Sequence, residues 1–184
     1  AGLTDVAFHV DTTQQRPGYA GEGALDALRR EYIERARGLP LAVFFNTTVH
    51  AGNLDALPAL AAFFVAHADV VRFASFQLQA DTGRGVLGAR DQAIDHDSVA
   101  RRLEQGAGSA LRFDVLAPGH HGCNRGAVML VAGGRAHDAF ADATFIRRFM
   151  FETAALRIDR ATPWRALRSL AAAALSRPAL AGAA

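Results

Sequence analysis

The sequence predicts an α/β fold assembled from parallel β/α units. Three apolar runs, over residues 5–10, 41–45 and 70–78, alternate with two stretches of helical periodicity, and each run gives way abruptly to hydroxyls, amides and charge. Strands that are apolar throughout, rather than alternating, belong to parallel sheets buried on both faces, and alternation with helices selects β/α connections.

The first strand closes on Asp11, Thr12 and Thr13, and RPGYAGEG makes the following loop. A helix is predicted from Gly23 to Arg37, with Ala24, Leu25, Leu28, Tyr32 and Ile33 on one face; Gly38 and Pro40 stop it. The second strand leaves through Asn46, Thr47, Thr48, Val49 and His50. In the next helix Asn53 is a candidate N-cap, and Pro58 belongs to the first turn or breaks a short entry turn from the main helix. The third strand ends in Gln79, Ala80, Asp81, Thr82, Gly83, Arg84 and Gly85.

Beyond Gly85 the alternation lapses. A short amphipathic helix begins at Asp97 or Ser98 as its N-cap and carries Val99, Ala100 and Leu103. Residues 111–116 and 127–132 read as strands, the second turning at Gly133 and Gly134. From about Ala139 the chain is helical, with Phe140, Phe145, Phe149, Met150 and Phe151 as a core-packing stripe. Pro163 opens a last amphipathic helix through Trp164, Leu167 and Leu170, whose Arg157, Arg160, Arg165 and Arg168 surroundings read as a solvated face. The organisation expected is β/α units over residues 1–85, an irregular segment over 86–138 and terminal helices over 139–184.

Composition narrows the function classes. At 184 residues and 51% apolar, the chain suits one globular core. Its 20 cations are all Arg, they are scattered, and the net charge is +2, so nucleic acid is not implied. The lack of Lys removes a Schiff-base aldolase. One Cys allows no intrachain disulfide, and no apolar run has membrane length; the expected location is cytoplasmic.

Parallel β/α architectures place their sites at the C-terminal edge of the strands. Asp11, Thr13, Asn46, Thr48, Ser75, Gln77 and Gln79 are therefore the candidates to face one cavity. Taken singly, each is more simply a cap or a satisfied loop residue. As a set they point to a site, because His9 and Gln77 interrupt apolar runs where capping asks for nothing. A second cluster is HHGC, in which His120, His121 and Cys123 suit iron or zinc. A closed tetrahedral site needs four ligands, so a glycine-rich turn with a small thiol is the equal alternative.

The phrases HVDTTQQRPGY, ALDALRREYIERARGLPLAVFFNTTVHAGN and FASFQLQADTGRG resemble the later barrel strands of radical S-adenosylmethionine enzymes. More narrowly they are similar to the branch of iron–sulfur oxidoreductases that holds class D radical methylases and tetraether lipid synthase. The resemblance, over residues 5–125, implies a partial (β/α) TIM-type barrel with a C-terminal helical extension. It also implies a 4Fe-4S cluster on a CxxxCxxC loop, S-adenosylmethionine, an electron donor, and a small-molecule or lipid substrate. Asp11, Thr13, Asn46, Thr48, Ser75, Gln77 and Gln79 would then contact S-adenosylmethionine or substrate, and His120 with Cys123 would be candidates for an added iron site.

The sequence lacks CxxxCxxC. The expectation is a C-terminal fragment, inactive alone, whose incomplete barrel exposes edges and self-associates. The alternative is a small β/α binding or acid–base module that works through His9 and Asp11 without a cluster.

Overall fold

Val, Phe and Thr crowd the first three strands, and these residues fit a pleated, half-buried surface. In a computed structural model, which describes residues 2–79, 94–117, 119–120, 122–139, 142–154, 156–159 and 162–176, they form β1 (Asp5–His9), β2 (Ala42–Val49) and β3 (Val71–Leu78). The strands are parallel and lie in the order β1-β2-β3. Helix α1 (Asp26–Ala36) joins the first pair, and α2 (Leu57–Ala66) the second. The α/β class and the parallel pairing are as expected from the sequence. Among the described residues the sheet is open and closes no barrel.

Both helices cover the same face. Tyr32 of α1 stacks on Phe8 with ring centroids 4.5 Å apart, and Phe64 of α2 stacks on Phe45 at 5.3 Å. Phe8 and Phe45 are register partners in adjacent strands, so these contacts fix α1 and α2 on one side. Val43, Phe45, Thr47 and Val49 point there and are buried, alternating along β2 with partly exposed neighbours. Each fully buried large apolar side chain contributes about 1.5–3 kcal/mol. The opposite face carries Phe44, Asn46 and Thr48 of β2 beside Phe73, Ser75 and Gln77 of β3, and Phe73 remains 56% exposed.

Several elements depart from expectation. Asn46, Thr47 and Thr48 lie inside β2 and not beyond it, because pairing with β3 continues to Val49 opposite Leu78 and β-branched threonines suit a strand. Helix α3 (His96–Ala107) is capped by Asp95, which accepts the Ser98 N–H at 2.7 Å while the Ser98 hydroxyl lies 3.2 Å from the Asp95 N–H. The cap is thus two residues before Asp97. This helix packs on α2 so closely that a Cβ on Gly106 would stand 2.0 Å from the Pro58 carbonyl oxygen. Residues 111–116 form turns with one bridge, Leu116 to Gly126, in place of a strand.

The chain divides into two compact units: residues 1–111 with 129–138, and residues 112–128 with 139–184. In the first, β4 (Met129–Ala132) and β5 (Arg135–Asp138) make an antiparallel hairpin. Its turn needs left-handed backbone at Gly133 and Gly134, with φ of 57° and 74°. In the second unit, α4 (Ala143–Thr153) and α5 (Pro163–Leu175) are the predicted terminal helices. Met150 and Phe151 are exposed, against their expected place in a core stripe. Phe140, Arg160 and the side chains of Phe145 and Phe149 lie outside the described residues, as do Ala80, Asp81, Thr82, Gly83, Arg84, Gly85 and His121. Among the described residues no helix is long and apolar enough to cross a membrane.

Candidate functional site

β1 ends at His9, and the Val10 N–H still reaches the Asn46 carbonyl at 3.2 Å, so the chain leaves the sheet beside the middle of β2. Asp11 follows with an extended backbone and a buried side chain, and caps the 3-10 turn Thr12–Gln14. Its Oδ1 accepts the Thr13 N–H at 2.9 Å and also the Thr13 hydroxyl. Its Oδ2 accepts the Thr48 N–H at 2.7 Å and lies 2.5 Å from His9 Nε2. Burial acts to raise the Asp11 pKa. Hydrogen bonds from Thr13, Thr48 and His9 outweigh it and hold the carboxyl below its ordinary range.

An ionised carboxylate only accepts, so His9 Nε2 must carry the ring proton. That nitrogen also lies 3.2 Å from Thr48 Oγ1. The Asp11 carboxylate therefore joins the ends of two strands, through the His9 side chain of β1 and the Thr48 N–H of β2. Gln15 closes the turn with φ of 47°, the one positive-φ residue other than glycine among the described residues. Holding a Gln there costs on the order of 1 kcal/mol, the kind of local strain that gathers at functional loops.

Beneath this edge lies a second network that the sequence reading missed. Arg29, fully buried, donates Nη2 to Glu22 Oε1 and, at 2.8 Å, to the Val10 carbonyl. Its Nη1 reaches Asp26 Oδ1 at 2.7 Å. Glu22 Oε2 accepts from Asn53 Nδ2 at 3.0 Å and from the Thr12 hydroxyl at 3.3 Å. Asn53 spans the loop after β2, donating to the Thr48 carbonyl at 2.9 Å and accepting the His50 N–H at 2.9 Å. It makes no side-chain cap to the short helical turn it precedes, contrary to expectation, because its amide is used here. His50 Nδ1 accepts the Gly52 N–H at 3.1 Å, which leaves Nε2–H to donate to Thr12 Oγ1 at 2.8 Å. A signal was present: Arg29 falls between Leu25 and Ile33 on the apolar face of α1, where a charge needs a buried partner.

Of the residues expected from sequence, Asn46, Thr48, Ser75 and Gln77 share the sheet face turned away from α1 and α2. His9 is the register partner of Asn46 and joins them. Gln79 lies one residue past β3, tied by its N–H to the Val49 carbonyl at 2.9 Å. Asp11 and Thr13 are at the edge of this face, but the Thr13 hydroxyl is spent on Asp11. Asn46 Oδ1 is buried without a hydrogen-bond partner among the described residues. An unmade bond of this kind costs about 1–3 kcal/mol.

His120 and Cys123 belong to the second unit and form a tight turn. The His120 carbonyl accepts the Cys123 N–H at 2.9 Å, and His120 Nδ1 accepts the Gly122 N–H at 3.1 Å. Cys123 is exposed. Among the described residues no three His, Cys, Asp or Glu side chains gather to hold a metal ion. An iron–sulfur cluster needs several thiolates, and this sequence has one Cys, so these residues do not fit that group. The amide and hydroxyl groups of the open face do fit a ligand bearing hydroxyl, amino and carboxylate groups. Comparison with protein-family models, curated proteins and solved structures found no match.

Proposed function

We propose that the chain supplies the S-adenosylmethionine- and substrate-facing wall of a radical S-adenosylmethionine enzyme of the methylase or carbon–carbon coupling type. Its three β/α units are then part of a (β/α) barrel. The observation that carries this proposal is the one-sided sheet: His9, Asn46, Thr48, Ser75 and Gln77 share the face left open by α1 and α2, beside the Asp11 edge. In a barrel of this kind that face is the interior, and parallel sheets are ordinarily covered on both sides. The resemblance of HVDTTQQRPGY and FASFQLQADTGRG supports the same assignment.

S-adenosylmethionine, when bound, supplies hydrogen-abstracting chemistry. The chain's own residues bind and orient. Asn46 offers its amide, Ser75 and Gln77 offer hydroxyl and amide groups along β3, and Phe44 with Phe73 gives the ligand an apolar floor to cover. The Asp11 contacts hold the rim in one geometry.

The test is anaerobic iron and sulfide reconstitution of the product of the whole coding region that contains this chain. Release of 5′-deoxyadenosine from S-adenosylmethionine and reductant, lost in Asn46→Leu with the cluster absorption intact, is the expected result. A product that holds no cluster and releases no nucleoside would overturn it, leaving acid–base chemistry at His9 and Asp11 as the better account.

A further inference from the structure

We propose that His9 is the acid–base residue of this site, working through Nδ1, and that Asp11 is the positioning residue that fixes the neutral ring's proton on Nε2 and so leaves the lone pair on Nδ1. The proposal rests on the wall assignment above and names the group in that wall that moves a proton. The geometry is specific. Nε2 is engaged by Asp11 Oδ2 at 2.5 Å and Thr48 Oγ1 at 3.2 Å, whereas Nδ1 has no partner among the described residues. The imidazole is 44% exposed, and the carboxylate behind it is not exposed at all.

Three further contacts keep the carboxylate in place: the Thr13 N–H, the Thr13 hydroxyl and the Thr48 N–H all donate to it. Around the ring, Arg16 donates to the His9 carbonyl at 3.3 Å, not to the imidazole. The register neighbour is Asn46, which is uncharged. Among the described residues Asp11 is thus the one charged group bonded to the ring.

The step balances simply. A ligand hydroxyl or ammonium on the open face gives its proton to the Nδ1 lone pair, and the O–H or N–H electron pair stays with the ligand. The imidazolium so formed is stabilised by Asp11, and its exposure lets the proton pass to water afterwards. Substrates with an ionising hydroxyl or amine beside the reacting carbon are the class this arrangement serves.

Two measurements test it. The first needs no ligand: ¹⁵N-detected spectra of the chain's imidazoles should show His9 Nε2 protonated and Nδ1 bare at neutral pH, with a mixed tautomer in Asp11→Asn. A wild-type ring protonated at Nδ1 overturns the proposal. The second uses the product of the whole coding region, with 5′-deoxyadenosine release and substrate product measured separately. In His9→Asn the nucleoside should persist while substrate product falls by about 100-fold or more. Product formation in His9→Asn equal to wild type overturns the assignment of His9. A wild type that releases no nucleoside overturns the wall assignment instead, and the imidazole spectra then still decide the tautomer.

Discussion

The two faces of the β1-β2-β3 sheet are made by the same strands and differ in nearly everything else. Toward α1 and α2, Phe8, Phe45, Thr47 and Val49 meet aromatic and aliphatic neighbours, and a buried Arg29–Glu22 pair braces the end of the sheet. Away from the helices, Phe44 and Phe73 pair edge to face with one ring largely in solvent, beside Asn46, Ser75 and Gln77. Alternation along a strand sends successive residues to opposite sides, so one eight-residue strand holds both a core stripe and a half-exposed polar stripe. Single substitutions along β2 therefore probe the packed face and the polar face separately.

The largest difference should appear between Phe45→Ala and Phe73→Ala. The first opens a cavity against Phe64 and should cost about 3–5 kcal/mol in urea unfolding, whereas the second, already exposed, should cost less than about 1. Equal losses would mean that the open face is covered in solution. Arg29→Met leaves the Glu22 carboxylate buried and short of its cation, and should cost about 3–5 kcal/mol, read from the same unfolding curves.

Asp11→Asn should cost about 1.5–3 kcal/mol through hydrogen bonds to a charged acceptor. Its pH dependence has a definite sign. The folded carboxyl sits below its ordinary value of 3.8, so its contribution is complete above that value and is lost as pH falls through the lower folded one. Unfolding measured from about pH 5 down to about pH 2 should accordingly show a shallower acid slope in Asp11→Asn, the remainder belonging to Asp69, Asp95 and Asp114, which are lowered as well; an unchanged slope would place the acid sensitivity elsewhere. The smallest stability effect belongs to Asn46→Leu. It removes an oxygen that has no partner among the described residues, so the melting point should hold nearly constant while the proposed ligand binding is lost.

The sheet was legible because long apolar runs and helical periodicity are local patterns. The shared face of Asn46, Thr48, Ser75 and Gln77, the candidate site, was legible because a polar side chain inside such a run has few structural excuses. The buried network around Glu22 was not. Glu22 lies in a loop, and only folding brings Thr12, Arg29 and Asn53 to its carboxylate. The true cap of α3 was missed because Asp95, Asp97 and Ser98 all have capping chemistry, and their spacing alone does not choose among them. Phe151 failed as a core residue because a stripe read from spacing does not reveal which side of a helix finds a neighbour.

Gly106 has a consequence for how this chain tolerates change. Its backbone rests on the Pro58 carbonyl with no room for even a methyl group, so any other residue there acts as a wedge driven between α2 and α3. In a library randomised at this position and selected for soluble protein, glycine alone should survive. A neighbour such as Gln105, exposed on the same helix, should accept most of the alphabet.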